Sequence, residues 1–520
     1  MREQSARQGL LGSICVALCA LAVLGALSTI YETDRLLVEG HGFGFNDQAG
    51  YITTARWLAD TGELRSHLIY PAYVREPNWR LYMPGSYYAL ATGYQLFGDH
   101  PLAWKAPALL SFIIASVGIF LIGRRFFGVS SGLMAAAFFI ALPMNGLFAF
   151  TAMPQMLFIA SCVTCFCIFS YLPARTRAFW VPLLLIPPFL VRETGALLVI
   201  PMALLSTQEG RFRPWANGAI AALGSLCTLS LVMAIQIASG KGSLPLTWPL
   251  VGSFNYANAF SPPLAPSAWD WISKIFWNMV RNFQMIANNV TERWQAVEPL
   301  LWLIALTGIG LLNAKRKLAI GTAALMLTVF AMLFALYDWN FYRGVRSMLF
   351  VLPLAAIAAS PVLVRWLSQT QKRLGEGPFR KFKLLLPWAI AALVVLWSGR
   401  TSLDMAQAME SNYGARAIER LEKIDIDQEK LLVSPFEISL DYALAHYPLR
   451  WSFVPVNSRT LRLLDSEHEI GTFIAHYEQM SILFWNTLTA MGFSLEERFP
   501  FETPTGNRVY WVFRRETPEP

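Results

Sequence analysis

The chain of 520 residues is organised by long apolar runs separated by short polar segments. The runs lie near 10–30, 103–122, 127–148, 153–172, 179–191, 194–207, 217–238, 299–313, 318–337, 345–366 and 384–400. A stretch of about 18–20 apolar residues crosses a hydrocarbon layer about 30 Å thick, and a helix satisfies its own backbone there. The pattern therefore predicts a multi-spanning α-helical membrane protein with about 11 transmembrane helices. The first run is too long for a signal peptide and lacks a small-residue cleavage pattern, so it reads as a retained helix.

From residue 401 the pattern changes to shorter alternations, strand-like and helical by turns, over 431–434, 437–446, 451–456 and 472–491. It closes on two strand-like runs, 493–501 and 508–514, joined through Pro504-Thr505-Gly506. This predicts a small soluble α/β domain over 401–520, long enough to bury its own core, behind a transmembrane module over 1–400. Within that module the segment 239–298 carries Trp269, Ile272, Phe276, Met279, Phe283 and Ile286 at helical spacing, with Lys274, Asn278, Arg281 and Gln284 on other faces. Such a helix is expected to lie flat on the membrane surface or to serve as a mobile cover.

Composition agrees. Only 15% of residues are charged, 55% are hydrophobic and the mean hydropathy is +0.42, which excludes an ordinary soluble enzyme. The net charge of +8 is unevenly placed: residues 401–520 hold 11 Lys+Arg against 18 Asp+Glu, a net of −7, leaving +15 for the rest. That excess sits in every second loop, at Arg2 and Arg7, Arg124 and Arg125, Arg175 and Arg177, Arg211 and Arg213, 315–317 and 372–383. It orients a membrane protein and gives no footprint for nucleic acid. With those loops in the cytoplasm, the N-terminus is cytoplasmic. Residues 31–102, 149–152, 192–193, 239–298, 338–344 and 401–520 then face outward, the periplasmic side of an inner membrane. All six cysteines lie inside apolar runs, where packing explains them better than disulfides or metal.

Ionisable residues are costly in hydrocarbon, so chemistry at a membrane is expected in loops and at helix ends. The first outer loop contains Phe45-Asn46-Asp47-Gln48, then Tyr51, Ala55, Leu58 and Gly62. Asn46 is placed to cap a short helix with Tyr51, Ala55 and Leu58 on one face and Gly62 at its end. Asp47 then falls in the first turn, where the helix dipole favours a carboxylate suited to a general base, a cation ligand or a plain capping acid. Further on, Tyr82-Met83-Pro84-Gly85-Ser86-Tyr87-Tyr88 leads to Leu96-Phe97-Gly98, an aromatic helix with proline at its start and glycine at its end.

These residues, in this order, resemble the GT-C glycosyltransferases, polytopic enzymes that use polyprenyl-phosphate sugars and include protein O-mannosyltransferases and the lipid A aminoarabinose transferases. The resemblance is specific over 40–130 and extends in topology over about the first 370 residues. It implies Asp47 as the base that deprotonates an acceptor hydroxyl, inversion at the anomeric carbon, and departure of a lipid phosphate. The growing charge on that phosphate needs cations placed beforehand, and arginine's planar fork suits it. Arg192-Glu193-Thr194-Gly195, interrupting the apolar stretch after Pro187-Pro188, matches a basic break in the family. Arg343 and Arg346, within 338–346, match its basic-aromatic stretch. The substrate-binding set expected on this basis is Arg192, Glu193, Arg343, Arg346, Tyr82 and His67. For Arg192 the plainer role is pairing with Glu193, and for Arg343 and Arg346 it is interfacial snorkelling.

The chain departs from relatives at Met83-Pro84-Gly85, where many carry a basic residue, and at Met153-Pro154-Gln155, where many carry an acid. No cofactor is demanded by any motif and no metal ligand is assigned. A divalent cation, Mg2+ or Mn2+, would find its donors in Asp47 with His67 or Glu63. Lys105 reads either as a headgroup contact, the favoured role, or as a phosphate contact. The implied partners are a polyprenyl-phosphate sugar donor, a glycan, lipid or protein acceptor, and membrane lipids, with the tail helping to receive the acceptor. The alternatives are a transporter or flippase of lipid-linked sugars, and an inactive relative acting as a binding subunit. A transporter would show paired interrupted helices in two related halves, and the sequence shows one interruption and no evident repeat.

Overall fold

In the computed structural model the described residues are 2–30, 47–65, 67–69, 83–207, 214–238, most of 269–284, 294–313, 317–336, 348–375, 422–424, 426–435, 446–453, 458–503 and 506–515. The chain divides into two compact units. One comprises Met1–Thr33, Lys105–Ile235 and Ser267–Ala406; the other comprises Asp34–Trp104, Gln236–Pro266 and Gln407–Pro520. A division at residue 400 alone thus leaves out part of the second unit, because the first loop is built into the same body as the tail.

The first unit is helical. Helices Arg2–Ile30, Pro101–Phe127, Val129–Ala141, Gln155–Tyr171, Pro214–Ala238, Trp294–Leu311, Lys317–Leu336 and Leu352–Gly375 cover most of the predicted runs, and 384–400 lies outside the described residues. Among the described residues three helices are long and apolar enough to cross a membrane: Leu102–Phe127, Trp215–Val232 and Leu352–Lys372. Phe112, Phe120, Phe139, Phe148, Phe166, Phe169 and Phe350 are fully buried between helices. Hydroxyls within the runs donate back one turn, Ser116 Oγ to Phe112 O and Thr322 Oγ1 to Leu318 O, so these two polar groups are satisfied inside their own helices. The cysteines are unpaired, with Cys162 and Cys165 buried among apolar side chains. In the described part of 269–284, Trp269, Ile272, Phe276, Met279 and Phe283 are exposed.

Two expectations change here. The segment 149–152, predicted as an outer loop in water, is buried inside the unit with Met153, Pro154 and Gln155. Its residues are nearly all apolar or small, so packing holds them where a polar loop would seek solvent. The runs 179–191 and 194–207, predicted as separate crossings, form one hairpin of short pieces: Arg177–Leu184, Ile186–Val191, a 3-10 helix Glu193–Leu198, and Val199–Ser206. Each leg is only about 22–24 Å long at helical rise, less than a bilayer core. The cause is local: Pro182, Pro187 and Pro188 interrupt the ladder, and Arg192 is extended at φ −152°.

The legs close because position 195 is glycine. A Cβ there would stand 2.6 Å from the Pro188 carbonyl carbon and 2.7 Å from its oxygen. Gly195→Ala is therefore expected to lower stability in detergent by about 1–3 kcal/mol through overpacking against backbone that cannot give. Gly308→Ala, in helix Trp294–Leu311 with nothing within 4 Å, is expected to be neutral or slightly stabilising. Thermal unfolding of the two variants side by side checks both.

The second unit holds a six-stranded sheet in the order β1-β3-β2-β4-β6-β5: β1 Leu68–Ile69, β2 Leu431–Ser434, β3 Trp451–Phe453, β4 Ile470–His476, β5 Phe493–Thr503 and β6 Gly506–Arg515. Strands β1 to β4 pair in parallel, and β5 and β6 form the antiparallel hairpin expected at the chain's end. β2 and β4 are buried along their whole length, as central parallel strands covered on both faces should be. Leu461 and Leu464 of helix Ser458–His468 and Leu488 of helix Ile482–Ala490 join Val433, Phe473 and Phe513 in the core. Arg515 grips Asp465 with two bonds of 2.7 and 2.8 Å, fastening the last strand to the first of these helices. Most of the predicted run 437–446 lies outside the described residues.

Candidate functional site

Asp47 is the first residue of helix Asp47–Thr61, as its motif predicts. Gly62, at φ +73°, ends the helix by donating its N–H to Leu58 O at 2.9 Å, a left-handed geometry that a side chain would strain. Tyr51, Ala55 and Leu58 are buried as the periodicity requires. They face the second predicted helix, Gly85–Phe97, with the Tyr51 and Tyr87 rings 5.5 Å apart.

The C-terminal half of the Asp47 helix is fastened by a polar-aromatic cluster. Arg56 donates to Asp99 Oδ1 from Nη2 at 2.6 Å and from Nε at 3.2 Å. Its guanidinium lies over the Trp104 and Tyr447 rings at 5.3 and 5.7 Å, and Trp104 stacks on Tyr94. The Tyr447 hydroxyl donates to Asp60 Oδ2 at 3.2 Å. Burial and the Asp60 carboxylate push the Tyr447 phenol above its ordinary range, and the same two causes raise Tyr94, so both rings stay protonated donors.

His67 belongs to this cluster. Its ring meets Trp57 and Tyr447 edge-on at 4.9 and 5.6 Å, and it is 6% exposed. Its carbonyl accepts from Trp451 N at 3.1 Å, the bond that starts the pairing of β1 with β3. Burial, with the charges of Arg65 and Arg450, lowers its pKa to about 4. Trp57 stands ten residues beyond Asp47, about 15 Å along the helix axis. The structure thus places His67 at the far end of the helix that Asp47 begins, packed among aromatic rings.

Arg192 and Glu193 occupy the tip of the hairpin in the other unit, both half-buried. Arg192 joins helix Ile186–Val191 to the 3-10 helix; its N–H donates to Pro188 O and its carbonyl accepts from Gly195. Among the described residues the two side chains make no ion pair with each other, so the plainer role of mutual pairing does not account for them. Lys105 is 5% exposed near the start of helix Pro101–Phe127, which is burial rather than reach toward headgroups. A buried ammonium needs an anion or hydrogen-bond acceptors beside it. Tyr82, Arg343 and Arg346 lie outside the described residues, as does the side chain of Asp47.

Sequence reasoning missed Arg56, Asp60 and Tyr447. Arg56 and Asp60 share a helix face at a spacing of four, which was readable. Tyr447 lies 387 residues from its partner, and no local signal reports it.

Residues 80–237 match the model of the Dolichyl-phosphate-mannose-protein mannosyltransferase family. The fold is similar to that of ArnT from Cupriavidus metallidurans. The apo structure aligns at a TM-score of 0.52 and 13% identity over 95% of this chain and 97% of that one. The structure of ArnT bound to undecaprenyl phosphate aligns at 0.53, with the same identity and coverage. The apo oligosaccharyltransferase from Archaeoglobus fulgidus aligns at 0.49, with 12% identity, over 94% of this chain and 74% of that one. No curated protein matches the sequence. The resemblance to GT-C glycosyltransferases holds at the level of the fold, and the likeness to ArnT runs beyond residue 370 into the tail.

Proposed function

We infer that the protein is an integral-membrane glycosyltransferase that moves a sugar from a polyprenyl-phosphate carrier to an acceptor at the outer face of the cytoplasmic membrane. The observation that carries this reading is an acid at the first position of a short, firmly braced helix in a chain with the ArnT fold. Asp47 takes the proton of an acceptor hydroxyl as its oxygen attacks the anomeric carbon. The bond from that carbon to the carrier's phosphate oxygen breaks, inverting the configuration and leaving the lipid phosphate as an anion. Arg192, Arg343, Arg346 and Lys105 are assigned to that phosphate, and Tyr82 to the sugar. The basic loops favour a cytoplasmic N-terminus and an outward-facing tail.

The test uses purified protein in liposomes with labelled polyprenyl-phosphate sugars and a membrane extract as acceptor source. Transfer of label, or hydrolysis of the donor, is the expected result. Movement of the intact donor across the bilayer without bond cleavage would instead establish a flippase.

A further inference from the structure

We propose that Tyr447, contributed by the tail, is a positioning residue for Asp47: the C-terminal domain holds the helix that Asp47 begins and sets the pose of its first turn. This rests on the assignment of Asp47 as the base. Tyr447 touches the helix Asp47–Thr61 and its extension at three points. Its hydroxyl bonds Asp60, its ring receives the Arg56 guanidinium, and its edge contact with His67 links it to Trp57. Arg56, Trp57 and Asp60 span one turn of the helix and look toward the tail from its C-terminal half. The chain leaving the helix is then paired with the tail's sheet, Leu68 opposite Trp451 and Ile69 opposite Ser452, with Ser452 Oγ donating to Ile69 O at 2.6 Å.

A helix held at one end by a hydroxyl, a cation over a ring and a strand pairing has its axis direction fixed by those contacts. From Asp60 back to Asp47 is thirteen residues, about 20 Å at helical rise. A small change of tilt at the Asp60 end therefore becomes a displacement of the order of 1 Å at the Asp47 end, and a reacting group misplaced by that much can lose about 10²-fold in rate. The tail then acts on turnover without touching the reacting atoms, and donor binding is not its business. Arg56, fastened to Asp99 and lying over Trp104, gives the helix a second anchor that does not involve the tail. Loss of Tyr447 is for that reason expected to loosen the helix rather than unfold it.

The experiment is steady-state transfer by the full-length protein, with hydrogen exchange of residues 47–61 read in parallel. Tyr447→Phe removes one hydroxyl and keeps the ring. Its expected effect is a fall in kcat of about tenfold with the donor KM within about twofold, together with faster exchange in the helix. In an Asp60→Asn background the same substitution should add little further loss, since both act through one bond. Ser452→Ala, which loosens the strand pairing only, separates position from general stability: it should slow turnover less than Tyr447→Phe at equal or greater thermal destabilisation. Wild-type kcat in Tyr447→Phe, or losses that merely follow melting temperature across the three variants, overturns the proposal. If Asp47→Asn retains full turnover the base assignment is wrong, and that is distinguishable, because the exchange readout reports the bracing of the helix independently of chemistry.

Discussion

Asp47→Asn is expected to lower sugar transfer by about 10²- to 10⁴-fold, the contribution typical of a positioned general base. The substitution keeps the shape of the side chain and removes only its capacity to accept a proton. Asparagine is well tolerated at a helix start, and losing one negative charge beside the dipole costs about 0.3–1 kcal/mol. The variant should therefore express, fold and bind donor much as the wild type does. The loss then falls in kcat, with the donor KM little moved, because the interaction removed is one made only as the acceptor's proton is transferred. The acid limb of the pH–rate profile, which reports ionisation of the base, should vanish with it. Turnover within a fewfold of wild type would discard Asp47 while leaving the enzyme class standing.

The second large effect is on stability and comes from His67. Buried beside Trp57 and Tyr447 and facing the charges of Arg65 and Arg450, its imidazole is held neutral down to about pH 4. In the unfolded chain the same ring takes its proton near pH 6.5. Between those values the unfolded state binds more protons than the folded one, so stability falls as the pH falls. At about 1.4 kcal/mol per pH unit the loss across the window is of the order of 3 kcal/mol, complete near pH 4. The place to read it is the junction of β1 with β3, by hydrogen exchange of residues 67–69 and 451–453 at pH 7 and pH 4.5. Faster opening at the lower pH is expected, and His67→Phe should abolish that difference. At pH 7 the same variant should be at least as stable as wild type, because the buried Nε2 has no hydrogen-bond partner among the described residues. An unchanged pH dependence in His67→Phe would show that other groups govern acid stability.

Much of this architecture follows from signals that act over a few residues. Apolar runs become helices because hydrocarbon leaves the backbone no other partner. The helices Asp47–Thr61 and Gly85–Phe97 begin and end near the residues that mark them: Asp47 follows Asn46, Gly62 closes the first, and Pro84 and Gly98 bound the second. Strands β5 and β6 are legible for the same reason, being consecutive runs separated in the sequence by Pro504-Thr505-Gly506, a composition that favours turns.

Tertiary structure decided what depends on distant partners. Leu68 and Ile69 carry too short a pattern to announce a strand, and they become one only because Trp451 and Ser452 offer an open edge some 380 residues later. His67 and Tyr447 acquire their roles from that same pairing: the first reads from sequence as a ligand and packs as a wedge, the second carries no motif and meets Asp60. Residues 149–155 and Lys105 are likewise buried, where the sequence pattern placed them in a loop or at a headgroup. Hydrophobic period and capping chemistry are properties of neighbouring residues, and so the chain itself determined its helices and the place of Asp47 at the start of one of them. Which far-off segment completes a sheet edge or encloses a side chain is a property of the packed whole, and so the fold alone decided that the tail and the first loop are one body.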